Sequence, residues 1–136
     1  MTRPFEPIEP DPANPPGIPI SSAVRVGDLV YVSGQVSTEP GRGIVEDTFE
    51  GEFHRTIRNV EEILAAAGGT LDDVVRVNAY LRDEESRPLY NRLYAEAFTP
   101  PYPSRTTTGN HFSFIQIEID CIAVIPRDRV AETAGD

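Results

Sequence analysis

The first regular pattern in the chain is a pair of apolar runs. Ile20-Ser21-Ser22-Ala23-Val24-Arg25-Val26 is followed by Gly27-Asp28 and then by Leu29-Val30-Tyr31-Val32-Ser33. β-Branched and aromatic residues favour pleated backbone, and a Gly-Asp pair favours a turn, so the two runs predict a hairpin. Ser33-Gly34-Gln35 then interrupts the second run. An isolated glycine in a strand marks a bulge, or a group that approaches the backbone closely.

Beyond a loop at 38–46 rich in Gly, Pro and charge, the period changes. Phe49, Phe53, Ile57, Val60, Ile63, Leu64 and Ala67 recur at three- and four-residue spacing, which is one face of a helix. Asp47, with Glu50 three residues later, reads as a capping box at its start. Gly68-Gly69 reads as its end, because glycine tolerates the left-handed cap conformation. Residues 73–81 (Asp-Val-Val-Arg-Val-Asn-Ala-Tyr-Leu) predict a strand. Ser86 is placed to cap a second helix with Pro88 in its first turn. Leu89, Tyr90, Leu93, Tyr94, Ala97 and Phe98 supply the apolar side of that helix, and Pro100-Pro101 stops it. Two further strands are expected, over 105–112 and 115–125. The last sets Ile115, Ile117, Ile119, Cys121 and Ala123 against Gln116, Glu118, Asp120, Ile122 and Val124.

The order is β-β-α-β-α-β-β, with a short edge strand expected around Phe5 and Ile8. This is an α+β class with a mixed sheet. Two helices cannot cover both faces of the sheet, so they should pack on one. The second face needs another cover. Its mix of Gln116, Glu118 and Asp120 with Ile122 and Val124 suits a subunit interface with a wet cleft at one end.

A chain of 136 residues suits one core. Seven of its 13 prolines lie in the first 19 residues (Pro4, Pro7, Pro10, Pro12, Pro15, Pro16, Pro19), which excludes helix there. We therefore expect a Pro-rich segment at 1–16, a single domain at 17–127 and a polar, flexible tail at 128–136. The first 14 residues read as dispensable for folding. The net charge of −10 argues against nucleic acid, which is bound chiefly by Lys and Arg. No apolar run approaches a membrane span. No basic-then-apolar leader opens the chain, and the one cysteine, Cys121, cannot form an internal disulfide. These features fit the cytoplasm.

The ordered motifs resemble the Rid/YjgF family. Ser33-Gly34-Gln35 is similar to its SGQ. Asn59-Val60 with Ala66-Ala67-Gly68 is similar to its first helix. Asp73-Val74-Val75 with Tyr80-Leu81-Arg82-Asp83 is similar to the strand that follows. Tyr90-Asn91 with Tyr94, Pro103-Ser104-Arg105, and Ile117-Glu118-Ile119-Asp120-Cys121-Ile122-Ala123 complete the series. The likeness spans roughly residues 17–125. It implies a chorismate-mutase-like fold assembled as a homotrimer with a barrel-like core and clefts between subunits. It also implies hydrolysis of imine or enamine intermediates to a 2-oxo acid and ammonia, with no cofactor. Relatives that act on aminomuconate-type substrates, and a non-catalytic trimeric binder of small carboxylates, are the alternatives. An RNase reading is disfavoured by the acidic balance and the lack of a histidine pair.

Arg105 is the expected carboxylate clamp, since a guanidinium matches a carboxylate bidentately. Glu118, a carboxylate among isoleucines, is the expected base that guides water. Ser33 and Gly34 are expected to line the cleft, because glycine lets a ligand approach the backbone. Thr107 shares the strand face of Arg105, and Asn91 matches a family asparagine near the cleft. His111, near the end of the Arg105 strand, is a weaker candidate; His54 reads as an exposed helix residue and Cys121 as core. Two histidines and one cysteine give poor support for zinc. Ile20, Glu52 and Thr106 depart from the family's usual Tyr, Gln and small residue. Ile20 removes a hydroxyl from the expected cleft border, which leaves the substrate open.

Overall fold

The computed structural model describes residues 2–129. Eight strands and two helices follow in the order β1 (Glu6–Ile8), β2 (Ala23–Val26), β3 (Leu29–Gln35), β4 (Thr38–Glu39), β5 (Gly43–Ile44), α1 (Phe49–Ala66), β6 (Val74–Leu81), α2 (Arg87–Ala97), β7 (Ser104–Gly109) and β8 (Ile117–Val124). Six strands form one mixed sheet in the order β1-β2-β3-β8-β6-β7, and β4-β5 is a separate small hairpin. Only β6 and β7 run parallel. The α2 crossover between them makes this a βαβ unit.

Both helices lie on one face. Phe53, Val60 and Leu64 of α1 and Tyr90 and Leu93 of α2 are buried with Val30, Val32, Val77, Ala79, Ile117, Ile119 and Cys121 of the sheet. The alternation expected for β8 holds within the strand, where Ile117, Ile119, Cys121 and Ala123 are buried. The opposite face leaves Leu29, Tyr31 and Val124 exposed, alongside Val26 at the end of β2.

Helix α1 ends as its glycines predict. Gly68 has φ +89°, its N–H donates to Ala65 O, and the Gly69 N–H donates to Leu64 O. These are the two bonds of a Schellman cap. Its start differs from expectation. Thr48, not Asp47, is the N-cap, and its hydroxyl accepts from the Gly51 N–H. Asp47 instead accepts from its neighbour Thr48, and the partner acid is Glu52, which accepts from the Asp47 N–H. Ser86 stands at the start of α2 but makes no side-chain cap bond; a short 3-10 turn at Glu84–Ser86 feeds the helix.

Three strands are shorter than their apolar runs. β2 begins at Ala23, which leaves Ile20 in the preceding loop. β7 stops at Gly109 because its partner β6 ends opposite, at Leu81. β8 begins at Ile117, since Gln116 is drawn away: its N–H and side-chain amide both donate to Glu52, a fully buried carboxylate. Gln116 therefore does not share the face of Glu118. The edge strand expected near Phe5 and Ile8 is β1, paired with β2. The tail expected from Asp128 onward lies, beyond Arg129, outside the described residues.

Candidate functional site

The candidate residues gather in two clusters on opposite faces of the sheet. Parallel pairing sets Arg105 beside Val77 and Thr107 beside Ala79. Val77 and Ala79 are core residues, so Arg105 and Thr107 share the helix-covered face, at the sheet edge. Antiparallel pairing sets Glu118 beside Tyr80 and Asp120 beside Asn78, which is the uncovered face.

At the edge, the Arg105 guanidinium lies 4.6 Å from the centroid of the Tyr94 ring and 5.5 Å from that of Tyr90. Its Nη2 donates to Asn91 Oδ1. A guanidinium stacked on an aromatic face and tied at one corner is held in plane, with its remaining N–H groups available. Tyr94 is itself stacked on Phe98 at 4.4 Å. The hydroxyls of Tyr90 and Tyr94 are buried without a hydrogen-bond partner. The Tyr90 hydroxyl is influenced by both Arg105 and Thr107 without meeting hydrogen-bond geometry to either, and burial raises its pKa.

On the uncovered face, the β3–β8 register shifts between Val32 and Gln35, so Ser33-Gly34 forms a bulge. The Ser33 hydroxyl donates to Ser21 O at 2.7 Å. Glu118 fills the space a side chain at position 34 would need: a Cβ there would stand 2.3 Å from Glu118 Oε2. Beside it, Asp120 accepts from Asn78 Nδ2 at 2.8 Å and Tyr80 OH at 3.0 Å. No such hydrogen bond or ion pair holds Glu118 among the described residues. Burial lifts the Glu118 carboxyl above its ordinary pKa of 4.5, and the negative charge of Asp120 adds to the effect. The hydrogen bond to Asp120 raises the Tyr80 hydroxyl.

From the sequence, Tyr90 and Tyr94 read as the apolar side of a helix and as part of a family motif; their place beneath Arg105 was not foreseen. Nor were Asn78 and Tyr80, although Arg76, Asn78 and Tyr80 alternate with Val77, Ala79 and Leu81, which signals a polar face. His111 lies exposed in the loop after β7, in neither cluster. Cys121 is buried, and burial pushes its thiol up to about 12, so it is no nucleophile. Among the described residues, no group of three or more His, Cys, Asp or Glu is placed to hold a metal ion, and no helix is long and apolar enough to cross a membrane.

Comparison with known proteins places the chain by family and fold. The family model described as endoribonuclease L-PSP matches residues 12–125. A protein of Dermatophagoides farinae named 2-iminobutanoate/2-iminopropanoate deaminase is 32% identical over 122 residues, covering 88% of this chain and 92% of its own. The mitochondrial protein mmf2 of Schizosaccharomyces pombe is 35% identical over 112 residues, covering 79% and 88%. The crystal structure of RidA from an Antarctic Psychrobacter superposes with a TM-score of 0.81 at 29% identity, covering 88% of this chain and 99% of that one. On the match to most of the chain, and on a fold shared across nearly its whole length, the protein belongs to the Rid/YjgF family.

Proposed function

We propose that the protein hydrolyses the C=N bond of 2-imino acids, and of the enamines in equilibrium with them, to a 2-oxo acid and ammonia. The observation that carries this reading is the chemistry of the two clusters: a guanidinium fixed in plane at an edge, and a half-buried carboxylate with no hydrogen-bond or ion-pair partner among the described residues and a raised pKa. The name of the Dermatophagoides relative supports the reaction class.

Arg105 takes the substrate carboxylate through the N–H groups that Asn91 leaves free. Thr107 and the Gly34 backbone flank the reacting carbon. Glu118 accepts a proton from water as the water oxygen bonds to the C=N carbon, and returns it to the nitrogen. The resulting carbinolamine collapses: Glu118 relays the hydroxyl proton to the nitrogen, the C–N bond breaks as C=O forms, and ammonia leaves. An imine is already electrophilic, so positioning and proton transfer suffice. The reaction needs no cofactor. All 12 basic residues are arginine, so no lysine amine exists to form a Schiff base with the carbonyl product.

Because Arg105 and Glu118 face opposite ways in one chain, each cleft combines Arg105, Thr107 and Asn91 of one subunit with Glu118, Ser33 and Gly34 of the next. A homotrimer provides this arrangement. It also covers Val26, Leu29 and Val124, which one chain leaves exposed. The single buried cysteine suits a reducing compartment, the cytoplasm. The test is ammonia release from freshly generated 2-imino acids, in competition with a chemical trap. Accelerated release supports the enzyme. Carboxylate binding without acceleration would instead mark a non-catalytic binder.

A further inference from the structure

We infer that the substrate's side chain is bulky and apolar, a branched aliphatic or aromatic group rather than a methyl or a second carboxylate; this rests on the imine-hydrolase reading for its chemistry. Ser33, next to the Gly34 against which Glu118 packs, forms one wall of a hollow of about 650 Å³ on the uncovered face. Its other walls include Phe5, Ile20, Val24 and Tyr31, and among the described residues no charged side chain lines it.

Three features fit one occupant. The hollow exceeds the space needed for a small side chain and falls within the usual range for small-molecule sites. Its apolar walls are exposed in one chain, Ile20 at 46%, Tyr31 at 40% and Phe5 at 37%, so an apolar group that settles there removes them from water. A substrate carboxylate or ammonium in the same place would lose its hydration with no opposite charge lining the hollow to replace it. The N-terminal segment adds a wall of its own. Pairing of Glu6–Ile8 with β2 carries Phe5 to the rim, and Glu9 holds the adjoining loop through Ser22, whose N–H and hydroxyl it accepts.

The geometry therefore makes Ile20 and Phe5 specificity-determining residues. Each added methylene in such a pocket discriminates by roughly tenfold or more. The experiment measures calorimetric affinity for pyruvate, 4-methyl-2-oxopentanoate, phenylpyruvate and 2-oxoglutarate, with turnover of the matching imines alongside. We expect the two bulky apolar acids to bind at least about tenfold tighter than pyruvate. Ile20→Ser and Phe5→Ala should each erase most of that margin. Ile20 lies in an exposed loop, so its substitution spares the core. Equal affinities, or a preference for 2-oxoglutarate, would overturn the inference whatever the turnover. If no imine is turned over but the affinity order is as expected, the catalytic reading fails and the apolar pocket stands.

Discussion

At the residue scale, the two clusters make different demands on substitution. Lysine at position 105 keeps the charge but loses the planar fork and its stack on Tyr94. We expect Arg105→Lys to weaken 2-oxo acid binding by roughly ten- to a hundredfold, the equivalent of one charge-assisted contact, as read by calorimetry. Glu118→Gln should leave that affinity nearly intact and slow turnover, because an amide cannot take the proton from water. The pH profile supplies a finer check. With Glu118 as the proposed base acting as its carboxylate, kcat/KM should fall as pH drops through its pKa, and the raised pKa places that limb above 4.5. Asp120→Asn removes one of the two causes of the rise, so the limb should move to lower pH. Gly34→Ala is a third probe. The new Cβ would meet the free end of Glu118 rather than backbone. It should cost little in urea-melt stability yet displace the carboxylate, and a variant with unchanged kcat would argue against this placement.

At the scale of elements, one buried cation ties three chain segments together. Arg25 of β2 is 5% exposed, and Glu6, set opposite it on β1, is near enough to feel its charge. Its guanidinium donates to Ile125 O after β8, to Ala67 O at the end of α1 and to Gly27 O in the β2–β3 turn. Methionine there would preserve bulk but strand carbonyls in the interior. We expect Arg25→Met to lower the unfolding free energy by on the order of 3 kcal/mol in urea melts, with the sheet order unchanged. The N-terminal segment is different. Its proline content reads as expendable chain, and the fully buried core residues all lie beyond it, with only Ile8 packed against them. Yet it supplies β1, the Glu9 anchor and the Arg127–Glu6 ion pair. Deletion up to Pro15 should still give folded protein by circular dichroism, while opening the hollow beside Ile20.

At the scale of the whole molecule, the proposed site draws on both clusters, which face opposite ways in one chain. Light scattering should report three copies of the 15.0 kDa chain, about 45 kDa. Subunit mixing tests the sharing of clefts. Arg105→Lys and Glu118→Gln subunits, each nearly inactive alone, should recover about a quarter of wild-type activity when refolded together in equal amounts, since one interface in four then pairs an intact Arg105 with an intact Glu118. A site contained within one chain would recover none.

The local features were legible without any structure. A 3.6-residue period marked α1 and α2, alternation marked β8, Gly68-Gly69 marked a helix end and Gly34 marked a bulge, because each depends on neighbours within a turn or a strand. Tertiary structure decided the rest. Alternation says that Arg105 and Thr107 share a face, but not which one. That follows from the parallel register with β6, which sets them beside Val77 and Ala79 across nearly thirty residues of chain. The withdrawal of Gln116 from the strand shares this cause, because it depends on buried Glu52, distant in sequence on α1. The small β4–β5 hairpin, where the Ser37 carbonyl and hydroxyl both bond to Val45, and the exchange of Asp47 for Thr48 at the cap, where Glu52 draws in Asp47, are local but turn on hydrogen bonds that the hydrophobic period does not reveal. The sequence offered Arg105 and Glu118 as candidates for a clamp and a base; only the fold put them on opposite faces of one sheet.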